Sequence, residues 1–183
     1  ASGGPWWAFS MWHSRGRHWV STPRTPAFRP CQSTRSRQTC RKYRNREEFD
    51  RLIVGALKKK KAGLVLLIGY MRIISPYFCK EFAGRIWNIH PSLLPKYAGG
   101  VDTNVHEEVL RNKEKETGCT LHVVSEKVDA GQIIMQKKVK VLEGDDADSL
   151  KERVQKAEQE VLVKSVKLFS DCKITIKIGV VNV

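Results

Sequence analysis

The first 46 residues contain no leucine and no isoleucine, which limits where a folded domain can begin. Their only valine is Val20, and they hold four of the five tryptophans and four of the seven prolines. Such a stretch supplies neither a buried strand nor the apolar face of a helix, because both need regularly spaced aliphatic side chains. The sequence therefore predicts two pieces: a disordered or non-native segment over residues 1–45, and a folded domain over residues 46–183.

Charge divides the chain at the same place. Of the formal net charge of +14, +10 falls in residues 1–46, which lack Asp and Glu, and +4 falls in residues 47–183. A basic arm can bind nucleic acid, but the domain itself is only mildly basic, so nucleic acid is not expected as a partner. No run reaches the roughly 18–20 apolar residues of a membrane-spanning helix, so no membrane association is expected. The five cysteines form no C-x-x-C pair, which argues against a disulfide framework and a structural zinc site.

Hydrophobic spacing after residue 46 alternates between helical and strand patterns. Apolar residues recur at helical spacing from Phe49 to Leu57, and the run at 64–68 is typical of a strand buried on both faces. Ser75 followed by Pro76 predicts a helix start. Further elements are predicted as a strand at 86–90, a helix at 104–112, strands at 120–124 and 133–141, a long helix at 146–169 and an edge strand within 173–183. This order is typical of an α/β fold with a mostly parallel sheet and flanking helices.

Asn88 and His90 lie at the end of the second predicted strand. Residues two apart on a strand point to the same side, and ligands of open α/β sheets bind beyond the carboxyl ends of the strands. The amide and the imidazole can therefore face one reacting centre, although an Asn-x-His pair alone is weak evidence and more often has a structural role.

Three strings in order give the chain a resemblance to a known family. They are GYMRIISP at residues 69–76, NIHPSLLP at 88–95 and VDAGQII at 128–134. Together they closely resemble the phosphoribosylglycinamide formyltransferases of purine biosynthesis, over roughly residues 45–170. Pro91 after His90 favours this branch over the formyltetrahydrofolate deformylases and the methionyl-tRNA formyltransferases. The implied fold is a Rossmann-like formyltransferase fold whose N-terminal βα units are missing or replaced.

The resemblance implies direct transfer of a formyl group from 10-formyltetrahydrofolate to the amine of glycinamide ribonucleotide, without a metal or a covalent enzyme intermediate. It implies that Asn88, His90 and Asp129 are catalytic. Asn88 and a protonated His90 would donate hydrogen bonds to the oxyanion that develops during amine attack. Asp129 would hold His90 charged and place a water that shuttles protons.

Other roles are implied by position. For Gln155 and Glu158, the alternative to binding substrate is a place on the solvated face of the helix. For Arg46, the alternative is an ordinary charged residue in the first helical turn. His122 is expected to be a sheet residue near the site. The resemblance assigns folate binding to Met71, Arg72, Ile73, Ile74, Val124 and Val128, and substrate binding to Arg46, Gln155 and Glu158.

Members of the family begin with two further βα units, whose glycine-rich turn holds the substrate phosphate at a helix N-terminus. In this chain Gly3, Gly4 and Gly16 follow no apolar strand, so no position inherits that loop. Three explanations of residues 1–45 stay open: an organelle transit peptide, a basic nucleic-acid-binding arm, or a misread frame. The abrupt change at Arg46 favours the misread frame.

The function expected from the resemblance is folate-dependent formylation of glycinamide ribonucleotide, with small-molecule substrates. The alternatives are another formyl-folate enzyme, such as a deformylase, and an inactive fragment with a basic binding arm. A homodimer is left open. The expected location is the cytoplasm, or a plastid or mitochondrion if residues 1–45 are a transit peptide.

Overall fold

The computed structural model describes residues 45–70, 72–99, 104–177 and 180–182. The predictions for residues 1–44 and for Met71 lie outside these ranges. In chain order the elements are α1 Arg46–Lys59, β1 Val65–Leu67, α2 Pro76–Glu81, β2 Ile86–His90, α3 Val105–Arg111, β3 Glu116–Val123, β4 Ile133–Lys140, α4 Ala147–Ser170, β5 Thr175–Lys177 and β6 Val180–Asn182.

The main sheet has the strand order β1-β2-β3-β4 and is mixed. β1 pairs with β2 in parallel, as predicted for the αβ repeat at the start of the domain, whereas β2–β3 and β3–β4 are antiparallel, so the described sheet is mixed rather than mostly parallel as predicted. Burial alternates along β4, which confirms the predicted solvated face. An antiparallel strand can leave one face in water, whereas β1 is buried along its whole length.

Helix starts lie where the capping residues predict them. Ser75 caps α2 by accepting a hydrogen bond from the Phe78 backbone N–H at 3.3 Å, and Pro76 occupies the first turn. Asn45 caps α1 by accepting from the Glu47 N–H at 3.1 Å. Since these caps act locally, a few consecutive residues are enough to predict them.

The sheet has one core on each face. The core between the sheet and α4 includes Trp87 and Leu121, and the core toward α1 and α2 includes Ile86 and Phe78. Because side chains alternate along a strand, Ile86 and Trp87 enter opposite cores. Asn88 and His90 share the face of Ile86, so they lie on the α1–α2 side of the sheet.

The predicted edge strand at the C-terminal end is wrong. β5 and β6 pair with each other as a separate two-stranded sheet, and Ile174 before them is buried in the core beside α4. The alternation of Ile and Lys predicts one buried face. It does not specify the strand with which that segment pairs, because pairing depends on tertiary contacts.

Replacing Gly118 on β3 tests how closely β3 and β4 pack. A Cβ at Gly118 would lie 2.0 Å from the Lys137 carbonyl oxygen on β4, whereas a Cβ at Gly55 within α1 would meet no atom within 4 Å. We expect Gly118→Ala to lower the free energy of unfolding by about 1–3 kcal/mol, and Gly55→Ala to raise it by about 0.5–1 kcal/mol. Urea denaturation of the two variants measures both. An unchanged midpoint for Gly118→Ala would contradict this packing.

Candidate active site

The candidate site is built on the ends of two adjacent antiparallel strands. β2 carries Asn88 and His90, and their cross-strand partners on β3 are His122 and Thr120. Directly opposed residues in an antiparallel pair share a face of the sheet. The register therefore collects these four side chains on the α1–α2 side. His90, Thr120 and His122 are buried, and Asn88 is half-buried.

Asp129 joins this group from the loop between β3 and β4. One carboxylate oxygen, Oδ2, lies 3.4 Å from His90 Nδ1, and the other, Oδ1, lies 3.5 Å from His122 Nε2. The Gly99 backbone N–H donates to Oδ2 at 3.0 Å. Asp129 thus bridges two buried histidines, and the predicted trio of Asn88, His90 and Asp129 lies in one place.

The Asp129 loop is folded tightly against β3. Asp129 has φ of 50°, a left-handed conformation that Asp and Asn tolerate better than most residues. A Cβ at Gly131 would lie 1.6 Å from the Val123 carbonyl oxygen, so only glycine fits there. The Val123 N–H also donates to the Gln132 carbonyl at 2.8 Å. The tightly folded backbone of this loop therefore fixes the position of the Asp129 carboxylate.

Asp129 is ionised at neutral pH. The hydrogen bond from His122, together with the Gly99 N–H and the nearby imidazoles, lowers the pKa of Asp129 to about 2, although burial opposes this. Its negative charge is therefore present over the whole pH range in which the protein would work.

Two opposing effects act on the pKa of His90. Burial lowers the pKa of His90 below 6.5 and outweighs the Asp129 carboxylate and the Tyr97 carbonyl, which both raise it. Both ring nitrogens nevertheless face acceptor oxygens, Nδ1 that of Asp129 and Nε2 the Tyr97 carbonyl at 3.1 Å. Asp129 favours the charged imidazole, as the resemblance implies, whereas burial favours the neutral ring. The imidazole lies where added positive charge would find partners.

His122, which the sequence placed only near the site, contacts two members of the candidate trio, Asn88 and Asp129. Its Nδ1 lies 3.0 Å from the Val123 carbonyl, and its Nε2 lies 3.3 Å from the Asn88 amide nitrogen. Nε2 thus accepts from Asn88 when it carries no proton and donates to Asp129 when it carries one. The strand register Asn88–His122 is the signal that identifies this role, and it is visible only in the folded sheet.

The residues predicted to bind folate have different environments. Ile73 and Val128 are exposed at 42% and 36%. Ile74 is buried in the core with residues of α1 and α2, because it directly precedes the buried start of α2. The Arg72 guanidinium lies over the Phe49 ring, 4.6 Å from its centroid.

Val124 and Met71 complete that set. Val124 is half-buried, and its N–H donates to the Ile86 carbonyl at 2.8 Å, which fixes the start of the loop that leads to Asp129. Met71 lies outside the described residues.

The structure does not bring the residues predicted to bind substrate into contact with the trio. Arg46 is exposed at the start of α1. Gln155 and Glu158 are half-buried on α4, which packs on the opposite face of the sheet. Burial raises the pKa of Glu158 to about 7, and the Glu158 carboxylate helps to raise the pKa of the Cys119 thiol on β3. Glu158 is therefore close to the sheet rather than on a solvated helix face.

No group of three or more His, Cys, Asp or Glu side chains is placed to hold a metal ion within the described part of the chain. Among its helices, none combines the length and the apolar character needed to cross a membrane.

Comparison with known proteins gives consistent similarities. The profile of the family described as formyl transferase matches residues 14–166, a range that begins inside the 1–45 segment. Trifunctional purine biosynthetic protein adenosine-3 of Bos taurus is 44% identical over 126 residues, which are 69% of this chain and 12% of that protein. Phosphoribosylglycinamide formyltransferase of Escherichia coli K12 is 39% identical over 129 residues, which are 70% of this chain and 59% of that protein.

A solved structure is similar over most of the described chain. Glycinamide ribonucleotide transformylase 1 from Symbiobacterium toebii has a TM-score of 0.72 and 35% identity, covering 78% of this chain and 66% of that one. Its similarity confirms the predicted Rossmann-like fold. The chain spans less than two thirds of the length of these three relatives.

Replacing Glu158 tests whether its buried carboxyl group is protonated in the folded protein. Between the ordinary pKa of 4.5 and about 7, the folded state keeps a proton on Glu158 that the unfolded state has lost. The free energy of unfolding therefore falls as the pH rises through that window. We expect Glu158→Gln to raise the free energy of unfolding at pH 8 by roughly 1–3 kcal/mol and to change it little near pH 4. Urea denaturation at both pH values measures this, with Glu152→Gln, an exposed change on the same helix, as the control. An equal gain at both pH values would show that ionisation is not the cause.

Proposed function

Because the chain belongs to the formyl transferase family, we propose that it transfers a formyl group from 10-formyltetrahydrofolate to the amine of glycinamide ribonucleotide. One observation carries the proposal: Asn88, His90 and Asp129 meet at the carboxyl end of β2, in contact with each other or with His122. The sequence relation supports the substrates, since relatives of this chain are named phosphoribosylglycinamide formyltransferase.

Amine attack on the formyl carbon forms a C–N bond and places negative charge on the formyl oxygen. In this proposal the Asn88 amide stabilises that oxygen. The amide nitrogen lies 3.3 Å from His122 Nε2, and because a side-chain amide carries two N–H donors, at least one of them can point to the substrate. A fixed donor in a site from which water is excluded costs no reorganisation during the reaction.

The proton of the attacking amine has an acceptor in His90. A neutral His90, whose Nε2–H is donated to the Tyr97 carbonyl, takes this proton at Nδ1, because the imidazolium then pairs with ionised Asp129, 3.4 Å away. When the bond from the formyl carbon to the folate nitrogen breaks, His90 returns the proton to that nitrogen. The sum is one formamide and one secondary amine, with atoms and charge balanced. His90 thus works as a base first and as an acid second.

The same proposal places the folate against the loops at the ends of β1 and β3. Ile73 and Val128 offer exposed apolar side chains there, Ile74 supports them from the core, and Val124 anchors the second loop. Arg72 and Met71 complete this proposed wall. Substrate contacts away from the reacting amine are proposed for Arg46, Gln155 and Glu158, which the fold does not bring to the trio, and no residue is proposed to hold the phosphate.

Three expectations stay predictions of the sequence. They are the division of the chain at residue 46, the cytoplasmic or organellar location, and the homodimer. Light scattering on the purified chain measures its mass in solution. A mass near the 20.9 kDa of one chain would rule out a stable homodimer under those conditions.

A direct assay tests the proposed reaction. We expect the 183-residue chain to form formylglycinamide ribonucleotide from the two substrates, and His90→Ala to lower kcat/KM by about a hundred- to ten-thousand-fold, the usual value of acid–base assistance. Release of formate without the amine substrate would instead indicate a deformylase. Absence of both products, with the chain folded, would contradict the proposal.

Asp129→Asn tests the charge in this site, since Asn tolerates the same backbone conformation. We expect kcat to fall by about a hundredfold or more, because the imidazolium loses its partner. For the intact protein, kcat/KM should fall with acid only below the ordinary His value of 6.5. Asp129→Asn should move that fall to lower pH, because Asp129 raises the pKa of His90.

A second aspartate provides the matched control. The pKa of Asp145 is also about 2, chiefly because of its hydrogen bond from Arg153 at the start of α4. Asp145→Asn should lower stability and leave kcat and its pH profile unchanged. An equal loss of kcat in both variants would show that Asp129 acts only through folding.

A further inference from the structure

The loop that follows His90 is fastened to the sheet by two side chains. Thr120 on β3 donates its hydroxyl hydrogen to the Ser92 carbonyl at 2.7 Å and accepts from the Leu94 backbone N–H at 3.0 Å. Gln136 on β4 donates from Nε2 to the Leu94 carbonyl at 3.0 Å and to Thr120 Oγ1 at 2.8 Å. We call Thr120 and Gln136 the loop clamp.

The Thr120 hydroxyl uses its whole hydrogen-bonding capacity in this clamp. A hydroxyl has one donor and two acceptor positions, and here all three are engaged while the side chain is 0% exposed. Removing it would leave the Ser92 carbonyl and the Leu94 N–H without their partner, which is costly in a buried place.

The clamped loop returns to His90 at its far end. The Ser92 hydroxyl donates to the Lys96 carbonyl at 2.9 Å, which closes the loop on itself, and the next carbonyl, that of Tyr97, accepts from His90 Nε2 at 3.1 Å. The position of the Tyr97 carbonyl, and with it the orientation of the imidazole, therefore depends on how the loop is fastened at Ser92 and Leu94.

We propose that Thr120, assisted by Gln136, is a positioning residue that fixes the His90 ring through the loop at residues 91–97. The inference rests on the proposed function, because positioning matters to catalysis only if His90 handles the proton. Thr120 touches no reacting atom in this scheme. It acts through the Tyr97 carbonyl and through the burial of His90.

β3 supplies its own matched control in Thr117. Thr117 and Thr120 are both buried threonines on one strand, at 3% and 0% exposed. The Thr117 hydroxyl has no hydrogen-bond partner among the described residues. Replacing each by valine removes the same hydroxyl from the same strand, but only Thr120→Val releases the loop.

The kinetic test uses the full chain and four variants. We expect Thr120→Val to lower kcat about tenfold with little change in KM, since small misplacements of a catalytic group cost up to about a hundredfold. Thr120→Ser should restore the wild-type rate, Gln136→Met should lose about threefold, and Thr117→Val should lose nothing. Wild-type kcat in Thr120→Val, even at reduced stability, overturns the proposal.

A second measurement follows the His90 ring by NMR and does not require catalytic activity. Among the residues that the structure describes, the charged or titratable groups that face this ring are Asp129 and His122, and both are unchanged in all four variants. With labelled histidine and a His90→Gln protein for assignment, NMR should show His90 titrating at higher pH in Thr120→Val, because burial is the main cause that lowers its pKa. The acid limb of kcat should move in the same direction, and Thr117→Val should change neither.

The two readouts separate failure of this inference from failure of the proposed function. If the intact chain transfers no formyl group, the NMR titration alone decides, and a His90 midpoint unmoved by Thr120→Val overturns the positioning role. If Thr120→Val does not fold, Gln136→Met replaces it. A Gln136→Met protein with wild-type His90 resonances and kcat then overturns the proposal.

Discussion

One carboxylate between two buried imidazoles organises the candidate site. Asp129 lies 3.4 Å from His90 and 3.5 Å from His122, and the Gly99 N–H supports it from a third direction. A buried charge is costly unless it is paired and hydrogen-bonded. The depressed pKa of Asp129 indicates that these partners more than offset its burial. This one negative charge faces both histidines, and His122 in turn contacts the Asn88 amide.

Burial and charge act on His90 in opposite directions, and their balance favours proton transfer. Burial keeps the ring neutral at rest, while Asp129 stabilises the positive charge that appears when a proton arrives. A residue charged permanently could stabilise an oxyanion but could not accept the amine proton. In the proposed mechanism, the neutral resting state lets His90 act first as a base and then as an acid, and the clamped loop is proposed to hold the ring where both roles are available.

The elements predicted correctly are those fixed by neighbours in sequence. Ser75 caps α2, as its pairing with Pro76 indicates, and the apolar run at residues 64–68 contains the buried β1. Asn88 and His90 share a face because strand geometry requires it. The wrong edge strand at the C-terminal end and the buried Ile74 share one cause. A short apolar pattern predicts that a side chain is buried, but it does not specify the residues against which that side chain packs.

The sequence by itself indicated the family, most of the helices and strands, and the proposed trio Asn88, His90 and Asp129, because motifs and periodicity are local properties of the chain. Tertiary structure alone decided that His122 joins the trio and that His90 is neutral at rest. It also decided that Thr120 fastens the loop beside His90. These features depend on strand register and on exclusion of water, and both arise only when residues 30 or more positions apart are packed together.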